Sequence, residues 1–411
     1  MSKYKHIICL VLLSISSFVH AQTLDDYLKE AAENNPGLKA KYAEFEAAMQ
    51  RVAQANSLPD PTLSFGYFIS PVETRVGPQR AKFGLSQMFP WFGTLAAKGE
   101  MATLMAEAKY QEFLNAKNEL YYKVKAAWYP LYEVNNILLL QKENREILST
   151  YKQLSTTSFK NGKGSMVDVI RVDIMLENTD TEIKLLEDKK KPLLTRFNNL
   201  LNRSDSLPVT MVDSLPVLEV AEHYRKDSLL TANPMLAAFD LKLKSAQAQE
   251  RFARKQGLPK LGVGLDYVIV GERIDMSVPD NGKDVVMPMV SVSLPIFRGK
   301  YKAAVKEAQF TQSAISSYKE DFENNLVSSY EMSWYELDRA NQLIDLYHAQ
   351  ITKTEQAITL LLTAYSNSGK DFEEVLRMQQ ELLKYQMAET IALKEYYTAL
   401  AKLDYLTAKS E

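Results

Sequence analysis

The sequence predicts a mainly α-helical protein with a small β part, built from a duplicated unit of helix, β-hairpin, very long helix and returning helix. Three observations carry this prediction. The chain repeats itself at an offset of about 200 residues. Each half contains two short segments that alternate apolar with small or polar residues, and each half contains a long stretch of heptad periodicity with few helix-breaking residues.

The N-terminal segment predicts export. Two lysines precede an apolar run over residues 7–19, and Val19-His20-Ala21 fits a small-residue cleavage site. We therefore expect residues 1–21 to be a signal peptide, because the apolar run is too short to span a bilayer. The single cysteine, Cys9, lies within this segment. The mature chain is thus predicted to form no disulfide and no thiolate metal site.

The composition argues against several classes of function. The chain has 49 Lys and Arg against 51 Asp and Glu, a formal net charge of −2, which is not the balance of a nucleic-acid-binding protein. The sequence contains no nucleophile elbow, phosphate-binding loop or metal-spaced cluster. We therefore predict no enzymatic activity and no cofactor.

The internal repeat consists of matched segments that keep the same order in both halves. The pairs are Asn35-Pro36-Gly37-Leu38 with Asn233-Pro234-Met235-Leu236, Leu58-Pro59 with Leu258-Pro259, Phe89-Pro90-Trp91-Phe92 with Leu294-Pro295-Ile296-Phe297, Trp128-Tyr129-Pro130-Leu131 with Trp334-Tyr335-Glu336-Leu337, and Asp168-Val169-Ile170-Arg171 with Glu374-Val375-Leu376-Arg377. We predict a first repeat at 22–203, a linker rich in Ser, Asp and Pro at 204–219, and a second repeat at 220–411.

Each repeat is expected to open with an amphipathic helix, over about 24–55 and about 220–255, the second interrupted at Asn233-Pro234. Period-2 alternation then predicts two strands per repeat. The predicted strands are about 61–70 and 80–89 in the first repeat, and about 260–270 and 285–294 in the second. Hairpin loops are expected at Gly77-Pro78 and at 271–284.

Heptad periodicity predicts a very long helix after each hairpin, from Thr94 to about Phe159 and from about Lys300 to Tyr365. About 65 residues of helix extend on the order of 100 Å. Pro130 is expected to kink the first helix. The buried seam of the second helix is predicted to contain Leu337, Ile344, Ile351, Ile358 and Tyr365.

A tight turn is expected to close each long helix, at about 160–165 and about 366–371. Glycines supply the turn chemistry, namely Gly162, Gly164 and Gly369. A returning helix is predicted after each turn, ending near Asn202 in the first repeat and at the C-terminus in the second.

The predicted strands have the length and texture of strands that cross an outer membrane, roughly 9–11 residues. Four strands cannot close a barrel, since the smallest closed barrels use about eight. An open sheet in lipid would leave backbone donors unpaired, at several kcal/mol per group. Several copies of the chain must therefore share one barrel, and periodicity alone allows two, three or four.

This order of elements resembles the TolC-type outer-membrane factor family over the whole mature chain. The marks of the resemblance are the early Asn-Pro segments, the proline at each strand-to-helix junction and the pattern at the two tips. The resemblance implies a homotrimer in which a 12-stranded outer-membrane β-barrel continues as an α-helical barrel in the periplasm. It implies a passive channel for small molecules or ions in a tripartite efflux or secretion system. The expected partners are outer-membrane lipid, a periplasmic adaptor (membrane fusion protein) and an inner-membrane pump.

The strand-to-helix junctions combine prolines with aromatic residues. Pro90 and Pro295 cannot donate a ladder hydrogen bond, which suits the point where a strand leaves a sheet. Trp91, Phe92 and Phe297 lie beside them. These aromatic residues are expected to form a belt at the membrane interface or to fill the gap between barrel and helices, and the two roles are compatible.

By resemblance, the first turn of each returning helix lies at a periplasmic pore constriction lined by acidic residues, here Asp168 and Glu374. Both acids also lie three residues after a helix-capping residue, so capping alone explains them. Arg171 and Arg377 follow three residues later and can pair with these acids. Our hypothesis is a constriction of mixed acidic and basic side chains that opens when an adaptor docks.

Two other classes of protein share some of these features. An exported structural or adhesive coiled-coil protein would have the heptads and the leader, but it would not need alternating hairpins at matching places in both halves. A periplasmic adaptor carries β-rich domains on both sides of one helical hairpin, whereas this chain has two hairpins and little else. The sequence leaves the exported substrate and the class of pump open.

Overall fold

The computed structural model describes residues 23–212, 214–217, 226–368 and 372–409. Among these residues the protein is mainly helical with one small sheet, which confirms the predicted combination of helices with a small β part. The predicted signal peptide, the end of the predicted linker and Gly369 of the second tip lie outside the described residues.

The two halves present their elements in the same order. The first half contains α1 (Leu24–Asn34), α2 (Pro36–Asn56), β1 (Thr62–Thr74), β2 (Gly77–Phe89), α3 (Thr94–Lys160) and α4 (Met166–Leu200). The second half contains α5 (Lys226–Ala232), α6 (Pro234–Gln256), β3 (Lys260–Val270), β4 (Val285–Ser293), α7 (Gly299–Ser368) and α8 (Phe372–Leu406).

The chain folds into two compact units, and each takes residues from both halves. The sheet unit comprises Ala40–Leu114 and Pro234–Asn324, and it contains all four strands. The helical unit comprises the described parts of Met1–Lys39, Asn115–Asn233 and Asn325–Glu411. The compact units therefore do not coincide with the repeats that the sequence indicates.

An Asn-Pro pair interrupts the opening helix in both halves, whereas the sequence predicted an interruption only in the second. The residue before a proline avoids the helical conformation, and Asn35 is accordingly extended, with ψ 122°. Its Oδ1 accepts a hydrogen bond from the Leu38 amide at 3.1 Å, so it caps the helix that Pro36 begins.

The same asparagines close each repeat. The Asn35 Nδ2 donates to the carbonyl oxygen of Leu200 at the end of α4, at 2.8 Å. In the second half, the Asn233 Nδ2 donates to the carbonyl oxygen of Leu406 at the end of α8, at 3.2 Å. Terminal helix carbonyls have no partner within the helix, so each Asn-Pro segment satisfies one carbonyl of the helix that returns to it.

The first hairpin is tighter than the sequence predicted. β1 ends at Thr74 and β2 begins at Gly77, so the turn consists of residues 75 and 76. Gly77-Pro78 therefore belongs to β2 and not to the turn. Gly77 has φ +130°, and a Cβ there would lie 1.8 Å from the carbonyl oxygen of Gly271. Only glycine allows this close approach, which brings the 271–284 loop against the first hairpin.

Both long helices are at least as long as predicted. α3 contains Pro130 within its helical range, and the kink expected there stays a prediction. α7 extends to Ser368, so Asn367 and Ser368 are helical and do not belong to a turn. The predicted seam of α7 is buried at Leu337, Ile344, Ile358 and Tyr365, and Ile351 is half-buried. Heptad packing therefore fixes which face of this helix turns inward.

Candidate functional site

The four strands form a single antiparallel sheet in the order β1-β2-β3-β4. The hairpin of each half is thus joined to the other by pairing of β2 with β3. This pairing aligns Phe83 with Tyr267 and Leu85 with Leu265. The ladder edges of β1 and β4 that face away from the sheet have no strand partner among the described residues.

One face of the sheet is a largely apolar surface. The register places its side chains in cross-strand rows, namely Leu63–Leu85–Leu265–Pro288, Phe65–Phe83–Tyr267–Val286, Gln87–Val263–Val290 and Phe89–Leu261–Val292. Most of these apolar side chains are exposed in the single chain. A patch of this kind marks contact with lipid or with another protein.

The opposite face of the sheet carries mainly small and polar residues from β1, β2 and β3, with methionines from β4. Rows on this face include Ser64–Gly84–Asp266–Met287 and Thr62–Ser86–Gly264–Met289. Asp266 is buried and forms an ion pair with Lys82 of the neighbouring strand. The sheet therefore has one apolar and one polar face, as in strands that separate lipid from water.

The junction residues lie at the strand ends, as their sequence positions require. Pro90 directly follows β2, and Pro295 comes two residues after β4. The rings of Trp91 and Phe92 meet edge to face with centroids 5.9 Å apart. Phe92 and Phe297 are exposed in the single chain, so whether they form an interfacial belt or fill a gap stays a prediction.

The first tip has the predicted capping box. Residues 161–165 connect α3 and α4, and Gly162 takes a left-handed conformation with φ +71°. The Ser165 hydroxyl accepts from the Val167 amide at 3.1 Å, and the Asp168 carboxylate accepts from the Ser165 amide at 3.3 Å. Gly164 lies in the same connection. Asp168 therefore acts first as a helix cap.

The acid at the equivalent position of the second tip has a different partner. Glu374 forms an ion pair with Arg377, one turn further along α8, which confirms that predicted pairing. The capping box predicted for Glu374 involves Asp371, which lies outside the described residues.

The predicted pairing of Arg171 with Asp168 is wrong. The Arg171 guanidinium instead reaches Glu373 of α8, with 2.6 Å between Nη1 and Oε2. The Asp168 carboxylate instead accepts a hydrogen bond from the Ser165 amide and caps the helix. The hydrogen bond to Glu373 raises the pKa of Arg171 above its ordinary value. Glu373 is a site residue that sequence reasoning missed, although it lies beside Glu374 in an acidic first turn.

An apolar cluster lies beneath this ion pair. It contains Leu148, Tyr151, Val172, Tyr365, Phe372, Val375 and Leu376. The Tyr365 and Phe372 rings have centroids 4.8 Å apart, and Phe372 meets Tyr151 edge to face at 6.0 Å. We name this set the tip core. It ties the two helical hairpins together, because α3, α4, α7 and α8 all contribute to it.

A buried polar layer connects three of these helices. The Gln379 amide of α8 donates to Asn144 Oδ1 of α3 at 3.3 Å, and the Asn144 amide contacts the Thr179 hydroxyl of α4 at 3.5 Å. All three residues are buried. Buried polar groups at a helical seam specify register, because a slip would leave them unpaired. Single polar residues on heptad stretches are the only sequence signal for this layer.

Two features are absent from the part of the chain that the structure describes. No helix there combines the length and apolarity that crossing a membrane requires. No group of three or more His, Cys, Asp or Glu side chains there could hold a metal ion.

Known sequences similar to this chain include one described family and one outer-membrane protein. Residues 227–409 match the model of a family described as outer membrane efflux protein. The chain is also 24% identical to the outer membrane protein TolC of Salmonella enteritidis over 412 aligned residues, covering 90% of this chain and 78% of TolC.

Solved structures share the fold at low sequence identity. The outer membrane protein VceC of Vibrio cholerae superposes with a TM-score of 0.75 at 16% identity, covering 93% of this chain and 95% of VceC. A membrane protein from Pseudomonas aeruginosa superposes with a TM-score of 0.76, also at 16% identity. The match covers 93% of this chain and 90% of the Pseudomonas protein. CusC, whose structures concern folding and transmembrane channel formation, superposes with a TM-score of 0.77 at 16% identity. The match covers 93% of this chain and 91% of CusC.

Proposed function

We propose that this chain, which is a TolC-like outer membrane efflux protein, is the outer-membrane channel of a tripartite efflux system. It conducts small molecules or ions passively from the periplasmic side to the outside. The observation that carries the proposal is the sheet, which has one apolar face, one small and polar face and two open edges. The protein resides in the outer membrane, and its helices extend into the periplasm.

The sheet supports a shared barrel. Its four strands expose apolar side chains on one face and leave the outer edges of β1 and β4 available for pairing. Backbone groups at open edges cannot remain unpaired in lipid. Pairing β4 of one copy with β1 of the next closes a barrel, and three copies supply 12 strands, an allowed even number. The assembly proposed is a homotrimer.

The remaining partners follow from the proposed role. A channel that lacks an energy source depends on an inner-membrane pump, and a periplasmic adaptor joins the two. The duplicated unit at 22–203 and 220–411, with its linker at 204–219, supplies each protomer with two helical hairpins. We infer that the leader at 1–21 directs export.

We further propose that Asp168, Arg171, Glu374 and Arg377 line the periplasmic constriction. Both acids already have structural roles, since Asp168 caps α4 and Glu374 is paired with Arg377. The support for a second role is that all four residues lie in the first turns of α4 and α8, next to the bond from Arg171 to Glu373. A mixed ring of charges held by exposed ion pairs is weak enough to be rearranged when an adaptor docks.

Reconstitution tests the channel directly. The mature protein, extracted from outer membranes in detergent, is expected to run as a trimer in light scattering and to form conducting pores in planar bilayers. A water-soluble protein that needs no detergent and yields no pores would contradict the proposal. That result would favour the exported structural or adhesive coiled-coil protein.

The constriction is tested with charge-neutral substitutions. The pair Glu374→Gln and Arg377→Gln is expected to raise single-channel conductance, because it removes a charged ring from the narrowest part of the pore. The matched control is Lys41→Gln with Glu44→Gln, which neutralises an exposed pair of the sheet unit, 3.2 Å apart. If the Glu374→Gln and Arg377→Gln variant has unchanged conductance, these two residues do not line the constriction.

A further inference from the structure

A cavity of about 350 Å³ lies in the sheet unit at the point where β2 gives way to α3. The end of α2, the first turn of α3, the end of α6 and the start of β3 all contribute to its wall. Its apolar lining includes Leu58, Trp91, Leu95, Phe252 and Leu258. Phe89 and Leu261 form the last pair of aligned residues between β2 and β3, and the next residues along each chain, Pro90 and Lys260, line the cavity.

The polar lining of this cavity is strongly cationic. Lys98, Lys255 and Lys260 line it, and no Asp or Glu side chain does. Within the described part of the chain, none of the three lysines forms an ion pair. The Lys255 ammonium donates one hydrogen bond, to the carbonyl oxygen of Phe92 at 3.2 Å. An ammonium has three donors, so capacity for an anionic ligand remains.

An independent observation points to a ligand at the same place. Thr94 lines the cavity and is only 5% exposed, and its hydroxyl has no hydrogen-bond partner among the described residues. A buried hydroxyl without a partner is costly. Rotation about its Cα–Cβ bond can turn it toward a ligand. Thr94 is also the first residue of α3, where helix amides present partial positive charge.

We propose that this cavity binds the phosphate headgroup of an anionic phospholipid. Three lysines and the Thr94 hydroxyl hold the phosphate oxygens, and the apolar wall receives the first part of an acyl chain. A free phosphate would use the lysines but would have no use for the apolar wall. Trp91 has the amphipathic ring that is typical of a membrane interface, and basic pockets at that level bind lipid headgroups. The inference rests on the proposed function, because it requires the sheet to lie in a membrane.

Native mass spectrometry of the detergent-solubilised assembly measures the binding. Phosphatidylglycerol is expected to bind about tenfold more tightly than phosphatidylcholine with the same acyl chains, because only the former lacks a compensating cation. The triple variant Lys98→Gln, Lys255→Gln and Lys260→Gln is expected to weaken phosphatidylglycerol binding about tenfold or more. Thr94→Val is expected to weaken it about threefold through loss of one neutral donor.

The control removes the same charge from the same unit without touching the cavity. Lys300→Gln, Lys302→Gln and Lys306→Gln replace three lysines of the first turns of α7, and none of these lines the cavity. This variant is expected to bind phosphatidylglycerol like the parent protein. Equal weakening in both triple variants would overturn the proposal, since the effect would then be one of net charge.

Two further measurements separate the possible failures. Titration with inorganic phosphate alone identifies the source of the anion, and binding as tight as that of phosphatidylglycerol would overturn the lipid assignment. Circular dichroism checks the fold, and single substitutions replace the triple variant if its helical signal is lost. Conductance of the parent protein tests the channel independently. If the protein conducts but binds both lipids equally, the lipid-binding inference is wrong and the proposed channel function still stands.

Discussion

The first turns of α4 and α8 occupy equivalent places in the two repeats, yet two of their equivalent apolar positions are exposed in α4 and buried in α8. α8 begins with Phe372, which is 3% exposed in the tip core, whereas α4 begins with Met166, which is 49% exposed. Four residues later, Leu376 is buried and Ile170 is exposed. At these two positions the second repeat supplies buried residues of the tip core, whereas the first repeat exposes its apolar side chains.

The charged residues of the same turns differ as well. Asp168 completes a capping box, Glu374 pairs with Arg377 within α8, and Arg171 reaches across to Glu373. Duplication kept an acid and an arginine at equivalent positions, Asp168 with Glu374 and Arg171 with Arg377, but it did not keep their contacts. The exposed apolar turn of α4 is a surface that a neighbouring helix can cover in an assembly. Equivalent residues in a repeat therefore need not carry equivalent functions.

The largest expected effect tests the apolar half of this comparison. Phe372→Ala is expected to destabilise the tip by about 3–5 kcal/mol, because it leaves a cavity among Tyr151, Tyr365 and Leu376. Met166→Ala is expected to change stability by less than about 0.5 kcal/mol. Hydrogen exchange of the amides that begin α8 measures both. Similar losses of protection in the two variants would show that the tips are used alike.

The buried polar layer provides the next test. Gln379→Leu is expected to cost about 1–3 kcal/mol, because Asn144 Oδ1 loses the donor that reaches it. The equivalent residue of the first repeat, Asp173, pairs with exposed Lys152 at 2.5 Å. Asp173→Asn is therefore expected to cost about 1 kcal/mol or less. The rate of native-state proteolysis at the tip measures the destabilisation caused by each variant. A larger effect of Asp173→Asn than of Gln379→Leu would contradict the stabilising role of the buried polar layer.

Loss of the helix cap should have a smaller effect. Ser165→Ala is expected to destabilise the start of α4 by about 1 kcal/mol, since the Val167 amide loses its acceptor. Ser165→Asp keeps a capping oxygen and serves as the matched control. Hydrogen exchange of the first turn of α4 reports the difference. If both variants exchange at the parent rate, the Ser165 hydroxyl contributes nothing to the stability of the first turn of α4.

The smallest expected effect concerns the bridge between the two helices. Glu373→Gln is expected to cost about 0.2–1 kcal/mol, because the pair with Arg171 is exposed. The cost should disappear at about 1 M salt, where charges on the surface are screened. Glu374→Gln, which breaks a pair within one helix, is the control for movement between helices. Accelerated separation of α4 from α8 in cross-linking kinetics is expected only for Glu373→Gln.

The sequence by itself determined the order and type of the elements. Alternation over residues 260–270 gave strand β3 its observed limits, and heptads over α7 identified the buried face, because both periods follow from local backbone geometry. The first hairpin was less predictable. Its turn moved to residues 75 and 76, since Gly77 is needed for contact with the distant 271–284 loop.

Only the tertiary structure decided how the halves combine. Pairing of β2 with β3, the reach of Arg171 to Glu373 and the Asn144–Gln379 bond all join residues that are far apart in sequence. Spacing along a chain specifies which side chains share a helix face, but it does not specify which other helix that face meets. Asp168 is an example. Its spacing from Arg171 allowed an ion pair between the two residues, but the packing of α4 against α8 places Glu373 beside Arg171 instead.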